Sequence, residues 1–244
     1  MKRFEIKTLI LTMIVLCIVF VPAVSAQENS MVNNKPSDLQ QELINALNSK
    51  AKSSSIDNVV ANYCTVNKDK ILKNGFGSNN TTYQLKDGSK IAFIKNGIFI
   101  DSLTIEANNK TTQPVSKENN IVSASLVNPA YTSTIKYGVT RYNYLGWALF
   151  TVYTQGYFGY DYTNVAPHFV NGWYTKYLAF NPWTVSNWAA GGDMYGSKTA
   201  EVYSKGNFHF GVVIEGNQID IQDIYLKPYI RCNQYGSYWT GYDS

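Results

Sequence analysis

Histidine is nearly absent from this chain: His168 and His209 are the only two among 244 residues. Neither has the i, i+4 partner or the Cys/His spacing that marks a zinc site. Cysteine is as scarce, with Cys17, Cys64 and Cys232 the whole set, so a disulfide-dense scaffold is excluded. The Gly-x-Ser-x-Gly elbow, the P-loop and the dinucleotide glycine pattern are also missing, which removes their hydrolase, nucleotide-binding and dehydrogenase classes. Charged residues make up only 16% of the chain and the two signs are interspersed. Without a clustered basic face, nucleic acid is set aside as a partner.

The carboxylates of the second half, Asp161, Asp193, Glu201, Glu215, Asp220, Asp223 and Asp243, single out no acid/base pair for glycoside hydrolysis. Asp193, in AAGGDMYG, lacks the repeated carboxylates of a calcium loop. His209 sits on the polar parity of its strand beside Asn207 and Glu215, and His168 falls near a strand start. No catalytic residue, cofactor or metal site follows from the sequence, and the chain reads as a non-enzymatic protein.

Only one long apolar run is present, Leu9 to Val21, preceded by Lys2, Arg3 and Lys7 and closed by Pro22-Ala23-Val24-Ser25-Ala26. That order is a secretory signal peptide cleaved after Ala26, which predicts an extracellular protein. The run is shorter than the roughly 20 residues of a spanning helix, so no membrane anchor is expected after cleavage. Cys17 leaves with the peptide, and the formal net charge of +4 falls by two as Lys2, Arg3, Lys7 and Glu5 go. An oxidising exterior permits Cys64 and Cys232 to pair, and the alternative is two buried thiols.

Ser37-Asp38-Leu39-Gln40 has the form of a capping box, and Leu39, Leu43 and Leu47 follow at spacing four, predicting a helix over 38–51. Between 81 and 106, Asp87-Gly88 and Asn96-Gly97 each lie between strand-forming runs, predicting a three-stranded meander. Residues 107–129 are rich in Asn, Ser, Thr and Lys without an apolar period, which reads as a linker or surface loop. The predicted organisation is a signal peptide (1–26), a helix plus meander (27–106), the linker, and a main domain (130–244).

The main domain is loaded with rings. All five tryptophans and every tyrosine except Tyr63 and Tyr83 lie there. Its runs alternate at period two: Ile135, Tyr137 and Val139 on one parity, then Phe208, Phe210, Val212 and Ile214 before a turn at Gly216-Asn217. The returning strand places Ile219 and Ile221 on one parity but Ile224, Leu226, Ile230 and Cys232 on the other. A β-bulge near Gln222-Asp223 produces such a switch. With no helical period in this domain, the fold class is mainly β, an antiparallel β-sandwich or small barrel in the C-terminal half.

In GWALFTVYTQGYFGYDY (146–162), Ala148, Phe150, Val152 and Phe158 form a core-like parity, while Trp147, Thr151, Tyr153, Gln155 and Tyr157 mix rings with hydrogen-bonding groups. Tyrosine and tryptophan join a broad apolar face to a polar handle, which suits half-wet surfaces. The candidate binding residues are therefore Trp147, Tyr153, Gln155 and Tyr157, with Tyr235, Tyr238 and Trp239 of the C-terminal NQYGSYWTGYDS. A second layer packed over these rings is the plainer reading, since tyrosine favours strands whatever its function.

Across YGVTRYNYLGWALFTVYTQGYFGYDYTNV and GNFHFGVVIEGN, within residues 130–235, the chain resembles a group of small secreted proteins of Gram-positive bacteria. That group has no established activity, so the resemblance implies a habitat and carries over no site residues. The expected function is binding at the cell surface or envelope, to glycan or to a surface protein, through an aromatic face. The alternative is a membrane-active toxin whose rings engage the bilayer interface and whose Tyr131–Thr140 segment inserts as a hairpin.

Overall fold

The computed structural model describes residues 35–51, 54–77, 81–94, 97–106, 126, 129–177, 183–214 and 217–244. The expected signal peptide, Cys17 and nearly all of 107–129 lie outside these residues, as do Asn96, Glu215 and Gly216 of the two later turns.

Three helices open the described chain. In α1 (Asp38–Asn48) the capping box is complete: Ser37 Oγ accepts from the Gln40 amide and the Gln40 side chain accepts from the Ser37 amide. The buried stripe Gln40, Leu43, Ile44 and Leu47 faces inward, and Gln40 Nε2 donates to the Phe76 carbonyl at 2.5 Å, so its polar end is satisfied. Two further helices were not expected. Ser55 caps α2 (Ile56–Val66) by accepting from the Asn58 amide at 3.1 Å, and α3 (Lys68–Asn74) ends at Gly75 with φ of 63°.

Eleven antiparallel strands follow among the described residues. They are β1 (Thr81–Gln84), β2 (Lys90–Ile94), β3 (Gly97–Glu106), β4 (Ala130–Tyr131), β5 (Thr134–Asn143), β6 (Ala148–Tyr160), β7 (Val165–Lys176), β8 (Trp183–Gly196), β9 (Thr199–Ile214), β10 (Asn217–Asn233) and β11 (Tyr238–Asp243). Sheet A runs β1-β2-β3-β5-β6-β7, with short β4 also paired to β6, and sheet B runs β11-β10-β9-β8. Neither sheet closes on itself, so the architecture is sandwich-like and not the small barrel.

The Asp87-Gly88 turn forms as expected, with Gly88 at φ 89° and β1 paired to β2 from Gln84↔Lys90 outward. The meander then joins the main sheet. All ten residues of β3 pair with β5, from Gly97↔Asn143 to Glu106↔Thr134.

One apolar core lies between the sheets. Ile135, Val139, Phe150, Val152 and Phe158 of sheet A meet Trp183, Val202, Phe208, Leu226 and Ile230 of sheet B, all at 2% exposure or less. Full burial of each such side chain contributes about 1.5–3 kcal/mol. A second core lies on the opposite face of sheet A at one end, where Leu43, Leu47, Val60 and Ile71 cover Ile91, Phe93, Ile98 and Ile100. The helices therefore cap only the β1–β3 end of that face and its Tyr142 margin.

The phase switch in β10 is real. Asp220 pairs with Gly211 and Gln222 with Phe210, so Ile221 is the extra residue, one position before the expected place. Leu226, Ile230 and Cys232 consequently face the core.

Of the two alternatives for Cys64 and Cys232, the structure has the buried thiols: both are free. Cys64 is buried in the helical core and Cys232 in the inter-sheet core, so each packs as a small hydrophobe in a separate layer. Burial pushes both thiols up to about 12, the behaviour of inert structural cysteines.

Candidate functional site

The part of sheet A's outer face that the helices leave uncovered carries the rings. Because β6 alternates, Phe150, Val152 and Phe158 go to the core while Thr151, Tyr153, Gln155 and Tyr157 point outward. On β7, Trp173 is the register partner of Tyr153 and His168 that of Tyr157. Tyr153 stacks on Trp173 with ring centroids 4.8 Å apart at 20°, and Tyr157 stacks on His168 at 4.6 Å and 6°. Tyr131 of β4 closes the second cluster edge-on, 6.0 Å from Tyr157 and 5.8 Å from His168. Along β6 the two stacks are four residues apart, about 13 Å.

The polar groups on this face are equally specific. Lys136 Nζ sits 4.8 Å from the Tyr153 ring and 5.0 Å from the Trp173 ring. Gln155 Nε2 donates to Glu106 Oε1 at 3.1 Å, and Thr151 Oγ1 lies 2.8 Å from Thr140 Oγ1 and 2.9 Å from the Tyr177 hydroxyl. Tyr153 leans over β5 at Gly138, where a Cβ would fall 2.6 Å from the ring, so glycine is what lets the ring lie flat. Burial, then the Tyr177 hydroxyl, push the Tyr153 phenol up to about 12.

Desolvation holds the His168 imidazole below its ordinary value of 6.5. Below pH 6.5 the unfolded chain therefore binds a proton here that the folded chain resists, and stability falls as the medium becomes more acidic. In urea titrations between pH 7.5 and 5.5, the wild-type midpoint should drop more steeply than that of His168→Gln; parallel curves would contradict this.

The seven expected binding residues do not share one surface. Tyr153, Gln155 and Tyr157 are together on the outer face of sheet A, each partly exposed. Trp147, 51% exposed, lies off the strand in the β5–β6 turn beside the helices, its amide donating to Asn143 Oδ1 at 2.9 Å. Tyr235, 60% exposed, is in the β10–β11 turn, Tyr238 packs on the inter-sheet core, and Trp239 belongs to β11 of sheet B. Trp173, His168, Tyr131 and Lys136 were missed as members of the face. Trp173 had a signal, since it shares parity with Asn171 and Thr175, but its alignment with Tyr153 depends on a bulge at Gln155/Gly156.

Three of the carboxylates weighed above have structural duties. Glu201, 4% exposed, receives Lys227 Nζ at 2.6 Å and Arg231 Nε at 2.7 Å. The Arg231 guanidinium lies between the Tyr195 ring (3.4 Å) and the Tyr229 ring (3.8 Å), giving sheet B an outer ladder of alternating cations and rings. Asp161 accepts from the Thr163 and Asn164 amides in the β6–β7 turn, and Asp193 bonds the Tyr203 hydroxyl. The side chains of Glu215 and Asp220 lie outside the described residues. Among the described residues no three His, Cys, Asp or Glu side chains gather as metal ligands would.

His209 is in different company from that expected. Its ring bridges Ser186 of β8 and Asp223 of β10 on the outer face of sheet B. No family model, curated protein or solved structure matches this chain.

Proposed function

We propose that this protein is exported and binds glycan at the cell surface or envelope through the open face of sheet A. The observation that carries the reading is the pair of ring stacks, Tyr153–Trp173 and Tyr157–His168, held side by side on a sheet face that the three described helices do not cover. Pyranose C–H faces pack on such rings, and sugar hydroxyls meet the neighbouring Gln155 amide, Glu106 carboxylate and Lys136 ammonium. Stacking and the flat seat on Gly138 fix the rings before a ligand arrives, which lowers the ordering cost of binding. The N-terminal signal pattern supports export.

Membrane insertion ranks second. The Tyr131–Thr140 segment that would insert lies mostly in β5, which is hydrogen-bonded to β3 on one edge and β6 on the other. Freeing it would break two ladders in the middle of the sheet.

Retention on immobilised cell-wall polysaccharide or on a glycan array tests the binding reading. The wild type should be retained, and a folded Tyr153→Ala/Trp173→Ala variant should lose at least tenfold in affinity, about 1.4 kcal/mol. No retention of the wild type, or equal retention of both, would overturn it. Retention only on a protein fraction of the envelope would replace glycan by a surface protein.

A further inference from the structure

We infer that Ser186, His209 and Asp223 form a nucleophilic site for hydrolysis of acyl esters on the outer face of sheet B. Ser186 Oγ lies 2.6 Å from His209 Nε2, and His209 Nδ1 lies 2.6 Å from Asp223 Oδ1. Serine on one ring nitrogen and carboxylate on the other is the connectivity of the Ser-His-Asp triad, which is recognised by geometry and roles and not by chain position. The carboxylate selects the Nδ1–H tautomer, leaving Nε2 as the acceptor of the Ser186 proton.

The three residues come from adjacent strands, and the ladder brings them together. His209 pairs with Thr184 on one side and Asp223 on the other, while Ser186 pairs with Asn207, so all lie on the outward parity. Ser186 is also where β8 leaves its register. The next aligned pair is Ala189↔Lys205, and Asn187 between them has φ of 52°, a left-handed conformation that asparagine tolerates. A serine on a distorted stretch of backbone is an arrangement that exposes a nucleophile, with the amide of the next residue as one oxyanion donor. In the proposed site the amide after Ser186, that of Asn187, supplies an oxyanion donor.

The chemistry balances with water as the only co-reactant. Ser186 Oγ attacks the ester carbonyl carbon as its proton passes to His209 Nε2. The tetrahedral oxyanion collapses, the carbon–alkoxide bond breaks, and His209 returns the proton to the departing alcohol. Water, deprotonated by His209, then attacks the Ser186 ester, and the released carboxylic acid leaves the serine hydroxyl restored. Asp223 is a positioning residue that acts through His209.

Exposure sets the substrate class. The Asp223 side chain is 67% exposed and that of His209 is 20% exposed. Solvent screens this carboxylate, so the imidazolium is stabilised less than in a buried triad. That suits an ester, whose alkoxide leaves readily, and not an amide. Ser186 lies on an exposed sheet surface, which fits a short acyl group displayed on a larger molecule.

The test uses the mature chain with p-nitrophenyl acetate and a fluorophosphonate probe. The wild type should give one covalent adduct, located on Ser186 by peptide mass spectrometry, and turn over the ester at least about a hundredfold faster than Ser186→Ala. His209→Gln should abolish the adduct. Asp223→Asn should lower kcat without changing KM, and Asp223→Glu should restore part of it. An exposed histidine alone can cleave the activated ester, so the adduct is decisive. No adduct on Ser186 in the folded wild type, or equal hydrolysis in Ser186→Ala, would overturn the assignment. The site is on the opposite sheet from the ring stacks, so failure of either reading leaves the other's measurements unaffected.

Discussion

Replacing Phe150 with alanine should lower the stability of the fold by about 4 kcal/mol. Phe150 is fully buried at the meeting point of the two sheets. Its ring stacks on Phe208 of sheet B, centroids 4.0 Å apart and planes at 4°, and takes Trp183 of β8 edge-on at 5.2 Å and 65°. Phe208 in turn carries the Tyr174 ring at 5.7 Å and 90°. Truncation removes the transfer free energy of the ring and leaves a cavity whose walls are held by two separate ladders, so the site has little freedom to collapse. Each lost aromatic pair adds roughly 0.5–1.5 kcal/mol beyond the buried area. Urea unfolding followed by tryptophan fluorescence should show a lower midpoint with an unchanged m-value. Tyr235→Ala, at an exposed turn, should stay within about 0.5 kcal/mol of wild type. A loss under about 1 kcal/mol for Phe150→Ala would mean that the two sheets do not depend on this contact.

Why some of this was legible in the sequence and some was not follows from the range of the interactions. Local features were readable. The capping box at Ser37 depends on residues three apart, the Asp87-Gly88 turn on two neighbours, and the β10 bulge on a parity change within one strand. Helix α2 was missed because Val59, Val60, Thr65 and Val66 favour strands on their own, and the helix is held by its Ser55 cap and by packing of Val60, Tyr63 and Cys64. Arg141 follows Ile135, Tyr137 and Val139 on the inward parity of β5, where a cation is unexpected. It is accommodated because its guanidinium lies 5.1 Å from the Phe99 ring and donates to the Ile98 and Tyr142 carbonyls, and desolvation lowers it to about 9.

Cross-strand features had no local signature. The face at Tyr153 was visible as a mixed parity, but its partner Trp173 is fixed by the β6–β7 register, and that register contains a bulge. Of the seven ring and amide positions singled out from the sequence, only Tyr153, Gln155 and Tyr157 share a face. Ser186, His209 and Asp223 lie on three strands, and only the combined registers of β8, β9 and β10 bring them within hydrogen-bonding distance. The distortion after Ser186 is a strand irregularity and not the strand-to-helix turn that a Gly-x-Ser-x-Gly pattern marks.

Gly146→Ala should cost about 4 kcal/mol, the sum of two independent effects. Gly146 sits in the β5–β6 turn at φ of 80°, a left-handed conformation that costs a residue with a Cβ about 1–3 kcal/mol. The turn is tied at both ends, with the Gly146 amide donating to the Asn143 carbonyl at 3.0 Å and the Asn143 amide donating to the Trp147 carbonyl at 3.0 Å, so φ cannot relax cheaply. Space is the second effect. A Cβ would lie 2.7 Å from the Val60 carbonyl oxygen, 2.9 Å from Ala61 Cα and 2.9 Å from Cys64 Cβ, and the first two are backbone atoms of α2 that no rotamer change can move aside. Overpacking of this kind costs roughly 1–3 kcal/mol. The consequence is directional, because relief comes from α2 moving off the sheet. That movement would weaken the bond from the Tyr142 hydroxyl to Asp57, 2.6 Å in length, and uncover Cys64. Thiol-reactive dye should therefore modify Cys64 in the folded variant many times faster than in wild type, while Cys232, between the sheets, stays protected. Unchanged Cys64 protection together with an unchanged unfolding midpoint would show that the helices do not lean on this turn.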